Sequence, residues 1–186
     1  MKRFFDLVLG LIAIFLLLIP IVMVAVLVRI SSPGPVFFWS YRVGRLNKIF
    51  NMPKFRTMLI GTPAVASHLL GNPEEYLTPI GSFLRKSSLD ELPQLWSILV
   101  GQMSFVGPRP ALFNQYDLIE MRTQKNVHKL TPGLTGWAQV NGRDELSIAK
   151  KVELDTEYLQ FQSLWFDIKI LSLTFLKVLR REAVSH

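Results

Sequence analysis

Met1-Lys2-Arg3-Phe4-Phe5-Asp6 opens a stretch that carries no charge from Leu7 to Val28 and closes at Arg29. The run exceeds the roughly 18 apolar residues that mark a membrane-helix candidate, so its reading decides the fold class. Its apolar core is too long for a secretory h-region and no small-x-small cleavage site follows, which disfavours a cleaved signal peptide. Pro20 falls near the middle, where it removes an amide donor and clashes with the preceding turn, predicting a kink or break. Hydropathy by itself favours one spanning helix with a tolerated proline. Charge counts the other way: Lys2 and Arg3 stand at one end, and Arg29, Arg42, Arg45 and Lys48 at or beyond the other. No Lys/Arg asymmetry sends either flank outward. A re-entrant helix-break-helix keeps both ends on the cytoplasmic side, but the backbone groups freed at its break need partners at membrane depth. Charge and proline alone leave the two topologies even.

The chain has 186 residues, which suits one domain with a real core plus an anchor. The expected division is a membrane-embedded segment over 1–30 and a cytoplasmic, membrane-associated domain over 31–186. A net charge of +7 and a pI near 9.9 point to an anionic partner: nucleic acid, a phosphorylated ligand or an anionic leaflet. Zero cysteines exclude disulfides and thiolate chemistry, and His68, His128 and His186 lack metal-ligand spacing. Neither a P-loop nor G-x-G-x-x-G, G-x-S-x-G or H-E-x-x-H occurs.

Past the punctuating Ser31-Ser32-Pro33-Gly34-Pro35, the aromatic and β-branched run Val36 to Val43 and its return Ile49 to Phe55 predict a short hairpin. Its cations (Arg42, Arg45, Lys48, Lys54, Arg56) interleave with Tyr41, Phe50 and Phe55, a pattern shared by nucleic-acid surfaces, membrane-hugging faces and nucleotide-diphosphate pockets. Thr57 to Thr78 reads as a loop, with a lid as one role. Helices are expected over Ile80–Lys86, Ala111–Lys129 and Asp144–Gln160, Gln94–Val100 reads as a helix or a buried apolar segment, and a last helix from Ser163 to Arg180 and Arg181 packs or lies in an interface. Thr131 to Arg143, with three glycines and a terminal Asn141-Gly142-Arg143, reads as a shaped loop around a short strand. The fold class is therefore α+β, mostly helical, with a small hairpin and interfacial amphipathic helices.

Chemistry concentrates in Ser87-Ser88-Leu89-Asp90-Glu91-Leu92-Pro93-Gln94. Ser88-x-x-Glu91 fits a capping box, and local pattern favours that reading over catalysis by about two to one. The competing reading is a carboxylate nucleophile. An aspartate needs no base to attack phosphorus, and Arg85, Lys86 and Arg109 supply cations nearby.

The ordered motifs decide between them. Lys2-Arg3-Phe4-Phe5-Asp6-Leu7, Ser32-Pro33-Gly34-Pro35-Val36-Phe37, Lys54-Phe55-Arg56-Thr57-Met58, Leu89 to Gln94, Val106-Gly107-Pro108-Arg109-Pro110 and Thr131 to Arg143 resemble the bacterial sugar transferases. More narrowly, the chain is similar to the small monotopic phosphoglycosyl transferases made of the catalytic domain alone. The resemblance implies transfer of a sugar phosphate from a UDP-sugar to undecaprenyl phosphate with release of UMP, as the first membrane step of glycan assembly. It implies Asp90 as a nucleophile holding the phosphosugar covalently, with Mg²⁺ assisting. Glu91 is expected to orient or assist Asp90, to help hold Mg²⁺ or to handle the acceptor's proton, three roles that the sequence does not separate. Arg109 and Arg143 are expected on the diphosphate or phosphosugar, supported by Lys54, Arg56 and Arg85, with Asn141 a further ligand candidate.

The resemblance also implies a re-entrant hairpin broken at Pro20, on the cytoplasmic face of the bacterial inner membrane. Family members often have Ser before that proline, whereas Ile19 stands here. Membrane lipid is an expected partner and nucleic acid is not; a homo-oligomer and downstream glycosyltransferases remain open. The alternative class is a non-catalytic, membrane-tethered polyanion-binding protein.

Overall fold

The computed structural model describes residues 1–63, 72–142 and 145–179. Apolar residues without a breaker other than Pro20 give one helix, α1 (Lys2–Ser31), which at 30 residues is about 45 Å long. The break expected at Pro20 does not interrupt it: helical hydrogen bonding continues on both sides. By length and composition α1 is a candidate membrane span.

One stripe of α1 packs on the remainder of the chain. Asp6, Gly10, Val24 and Val28 are buried, and Leu9, Ala13, Ile14, Leu17, Ile21 and Ala25 fill the interval at helical spacing. Both ends are fastened. Lys2 Nζ lies 2.6 Å from Asp167 Oδ2, Arg3 donates to the carbonyls of Ile98 and Leu99, and Asp6 Oδ1 accepts from Ser104 Oγ and Phe105 N. At the far end Val24 and Val28 join Phe55 and Leu84. The opposite face leaves Phe4, Leu11, Phe15, Leu16, Ile19, Val22, Met23, Val26 and Ile30 more than half exposed, an apolar surface far too continuous to rest in water.

The expected hairpin forms from β1 (Phe37–Val43) and β2 (Ile49–Phe55), antiparallel, with Phe38 opposite Lys54 and Arg42 opposite Phe50. A two-residue strand β4 (Ala111–Leu112) pairs with β1's other edge. Between hairpin and α1 run α2 (Gly81–Lys86) and α3 (Gln94–Leu99). A second, parallel pair joins β3 (Ser104–Val106) to β5 (Gly133–Thr135). Its backbones come so close that a Cβ on Gly133 would sit 2.1 Å from Gly107 N, which requires glycine there.

The helix expected over Ala111–Lys129 is shorter, α4 (Tyr116–Gln124). Ala111 and Leu112 are drawn into the sheet, and Asn126 turns the chain with φ of 62°. A short α5 (Trp137–Val140) precedes α6 (Ile148–Phe161) and α7 (Leu164–Leu179). Part of the expected loop is ordered by backbone: Thr78 N donates to Thr57 O and Leu59 N to Tyr76 O, while 64–71 lie outside the described residues. The arginines expected to end the last helix, Arg180 and Arg181, lie outside them too. The main core collects Phe50, Met52, Leu95, Ile98, Met103, Phe105, Val127, Tyr158 and Ile170 beneath the hairpin and α1.

Candidate active site

The capping box does not form. Ser88 adopts a left-handed conformation (φ 56°) and its side chain caps nothing; Leu89–Glu91 is a single 3₁₀ turn wedged between α2 and α3. Pro93 starts the next helix, as its fixed φ favours. Instead of reaching back to a backbone amide, Glu91 reaches across the fold: its Oε1 accepts from Lys54 Nζ at 2.8 Å and from Arg109 Nη2 at 3.1 Å. Asp90 is only 7% exposed, with its Oδ2 3.6 Å from Lys54 Nζ.

The structure thus gathers Lys54 from β2, Asp90 and Glu91 from the turn after α2, Arg85 from α2 and Arg109 from the loop after β3. Arg85 bonds Thr57 Oγ1 and Met58 Sδ, and lies close enough to Asp90 for their charges to be felt mutually. Burial pushes the Asp90 carboxyl above its ordinary value; Lys54 opposes this most, Glu91 reinforces it, and Arg85 and Arg109 oppose it. Desolvation therefore wins over three cations, which marks a carboxylate held in a dry, charge-dense place.

Two expected residues stand apart, and a third is not described. Arg56 is buried with its guanidinium on the carbonyls of Pro35 and Ser32, where it fastens the exit from α1. Asn141 Nδ2 donates to Trp137 O, closing α5. Arg143 lies outside the described residues.

Sequence reasoning counted Arg42 among the hairpin cations but did not select it for the site. It bonds Ser40 Oγ and Pro110 O, and its pKa is pulled down to about 10 by burial first and then by the charge of Arg109, with Glu91 opposing. Strand parity could have found it: residues opposite one another in the hairpin share a face, which puts Arg42 and Lys54 on the same side. Arg122, on α4, was missed. It pairs with buried Asp155 at 2.6 Å and donates to Arg109 O at 2.8 Å. Arg42 and Arg122 thus hold consecutive carbonyls of the loop that presents Arg109.

Chemically, the cluster offers a carboxylate, a second carboxylate gripped by two cations, and further guanidiniums: a place for phosphoryl groups. Mg²⁺ is ordinarily held by one or two carboxylates plus substrate phosphate oxygens, so Asp90 and Glu91 fit it as a donor set only with a phosphorylated ligand present. Among the described residues no group of three acid, thiol or imidazole ligands stands anywhere.

A family profile described as "Bacterial sugar transferase" matches residues 1–181. The chain is 41% identical to the uncharacterized sugar transferase EpsL of Bacillus subtilis (strain 168), over all of this chain and 91% of that protein. It is 43% identical to the UDP-glucose:undecaprenyl-phosphate glucose-1-phosphate transferase of Escherichia coli (strain K12) and 36% identical to the exopolysaccharide production protein ExoY of Sinorhizobium fredii (strain NBRC 101917 / NGR234). These alignments take in 95% and 91% of this chain. The chain spans about two fifths of the E. coli protein (40%) but 81% of ExoY.

Proposed function

The chain belongs to the bacterial sugar transferase family, and from that premise we propose that it moves a sugar 1-phosphate from a UDP-sugar to undecaprenyl phosphate. The observation that carries this reading is the buried Asp90 flanked by Lys54 Nζ at 3.6 Å, with Arg85 and Arg109 close by. In the first step Asp90 Oδ attacks the sugar-bearing phosphorus. The P–O bond to the bridging oxygen breaks, its electron pair leaves with UMP, and an aspartyl phosphosugar remains. In the second step a phosphate oxygen of undecaprenyl phosphate attacks that phosphorus and the Asp90 carboxylate departs, giving undecaprenyl diphosphosugar. Two easier displacements replace one.

Arg109, Lys54 and Arg85 spread the developing charge over fixed donors, which need no reorganisation at the moment of reaction. Arg143 is proposed to join them on the diphosphate or phosphosugar. Glu91 holds Lys54 and Arg109 in place and lies beside Asp90, which favours an orienting role. Asp90 and Glu91 would hold Mg²⁺, which when bound offsets negative charge on the diphosphate.

The test is to incubate the full chain with a panel of radiolabelled UDP-sugars and no lipid, quench, and map the label by mass spectrometry. Label on Asp90 with stoichiometric UMP supports the scheme, as does its loss in Asp90→Asn. Turnover without any adduct, or an active Asp90→Asn, refutes it.

We further infer that α1 enters the cytoplasmic leaflet of the inner membrane and returns, bending at Pro20, so that residues 31–186 stay on the cytoplasmic side. Support comes from the two ends of α1, which bond to one body: a helix that crossed could not return Lys2 to Asp167. Cysteines at positions 2 and 40 should both resist an impermeant reagent applied outside intact cells. Labelling at position 2 alone would refute it.

A further inference from the structure

Asp6 is the one acid at the start of the membrane helix, and phosphoryl transfer has no direct use for it. It is 3% exposed, and its Oδ1 accepts from Ser104 Oγ at 3.0 Å and from Phe105 N at 3.1 Å. Those donors belong to β3. On its other edge this three-residue strand is paired with β5: Ser104 N donates to Pro132 O, and Gly107 N to Thr135 O. Phe105 N points the opposite way, to an edge where no further strand lies among the described residues. A side-chain oxygen from α1 takes the place of a neighbouring strand there.

What β3 carries gives this contact consequence. Val106 runs into Gly107-Pro108-Arg109-Pro110, and each residue of that loop is fixed through its backbone. Gly107 N bonds Thr135 O, Pro108 O accepts from Gly133 N, Arg109 O from Arg122 and Pro110 O from Arg42. Arg109 then reaches Glu91 at 3.1 Å. The root of the loop is the part held by Asp6.

Lys2 makes a second tie. Asp167 accepts from Lys2 and, at 2.6 Å, from the buried Tyr158 hydroxyl, which lies 3.2 Å from Val106 O. Burial, and then Asp167, push the Tyr158 phenol above its ordinary value, so it remains a donor.

We propose that Asp6 is a positioning residue for the transferase site: from the membrane helix it sets the register of β3 and so the placement of Arg109 against Glu91. This rests on the reading of the site given above. It assigns the N-terminal turn a role separate from membrane orientation, to which acids contribute little.

The test uses the full-length chain in membranes. Asp6→Leu keeps an apolar filler but strands two buried donors, whereas Asp6→Asn keeps an acceptor oxygen for both. Asp6→Leu should remain in the membrane fraction while kcat for UMP release falls about ten- to hundredfold, as a misplacement near 1 Å would cause. Asp6→Asn should recover most of that loss. In an Arg109→Met background Asp6→Leu should change the rate less than about twofold, because a residue acting through Arg109 has nothing left to position.

The proposal is overturned if the two losses multiply, if Asn is no better than Leu, or if activity falls only in step with folded protein. Hydrogen exchange without substrate gives a readout independent of the reaction: the amides of 104–109 should exchange faster in Asp6→Leu and be protected again in Asp6→Asn. Unchanged exchange in Asp6→Leu overturns the positioning role. Should no UDP-sugar yield UMP with the native chain, the functional reading fails, and exchange alone still decides the role of Asp6.

Discussion

Replacing Lys54 by Met tests the electrostatics of the site directly, because the ammonium is shared by both acids. It lies 2.8 Å from Glu91 Oε1 and 3.6 Å from Asp90 Oδ2, with all three side chains at least four-fifths buried. At an effective dielectric of roughly 20, unit charges about 4 Å apart interact by about 4 kcal/mol, so Asp90 loses a large counter-charge. Glu91 loses less, since Arg109 remains on the same oxygen at 3.1 Å; one charge-assisted bond, about 1.5–3 kcal/mol, is removed there.

The sign follows from the balance at Asp90. Burial already raises its pKa, and Lys54 is the strongest of the groups opposing that rise, so its removal raises the pKa further. The ionised fraction of Asp90, the proposed nucleophile, then shrinks at any pH near the acid limb. In a pH profile of kcat/KM for UMP release, the acid limb of Lys54→Met should shift to higher pH. At neutral pH the rate should fall about tenfold or more, through weaker stabilisation of the transferring phosphoryl group. A limb that stays in place, or moves to lower pH, refutes the claim that Lys54 opposes the rise that burial imposes on the Asp90 carboxyl.

Asp90→Asn should abolish adduct formation and still melt at a higher temperature than the native chain at pH 7 in the absence of substrate. A folded-state pKa above the unfolded value means the carboxyl favours folding when protonated and loses that contribution as pH rises through the folded pKa. The neutral amide avoids that loss, so the stability gain should vanish at low pH in paired melts. Arg122→Met should lower stability by about 3–5 kcal/mol in denaturant titrations, because Asp155, whose carboxyl burial pushes up and Arg122 pulls down, would stay buried without its counter-charge. Arg42→Met should raise the inhibition constant of UMP about tenfold in product-inhibition assays, with Arg42→Lys intermediate. An unchanged constant would leave Arg42 as a brace between Ser40 and Pro110 with no hold on the nucleotide.

Much of the architecture is legible in residue order. An uncharged run from Leu7 to Val28 reads as an apolar helix, and the aromatic and β-branched runs Val36 to Val43 and Ile49 to Phe55 read as a hairpin, because both signals are local to the backbone that carries them. The same local rules misread Ser88-x-x-Glu91. Pattern favours a capping box there, but Ser88 turns left-handed and Glu91 is pulled away by Lys54 and Arg109, which are 37 and 18 residues distant in sequence. They also extended α4 to Ala111 and Leu112, which β1 captured as an edge strand.

The sequence by itself determined the anchor, the hairpin, and the order of motifs that identifies the family and singles out Asp90 with its neighbouring cations. Only tertiary structure decided which cations meet the acids, with Lys54, Arg85, Arg109 and Arg42 gathered while Arg56 is spent on the carbonyls of Ser32 and Pro35. It also decided that both ends of α1 lie against one body. Charge type is written in each residue, whereas proximity depends on how strands and loops far apart in the chain are brought to one place.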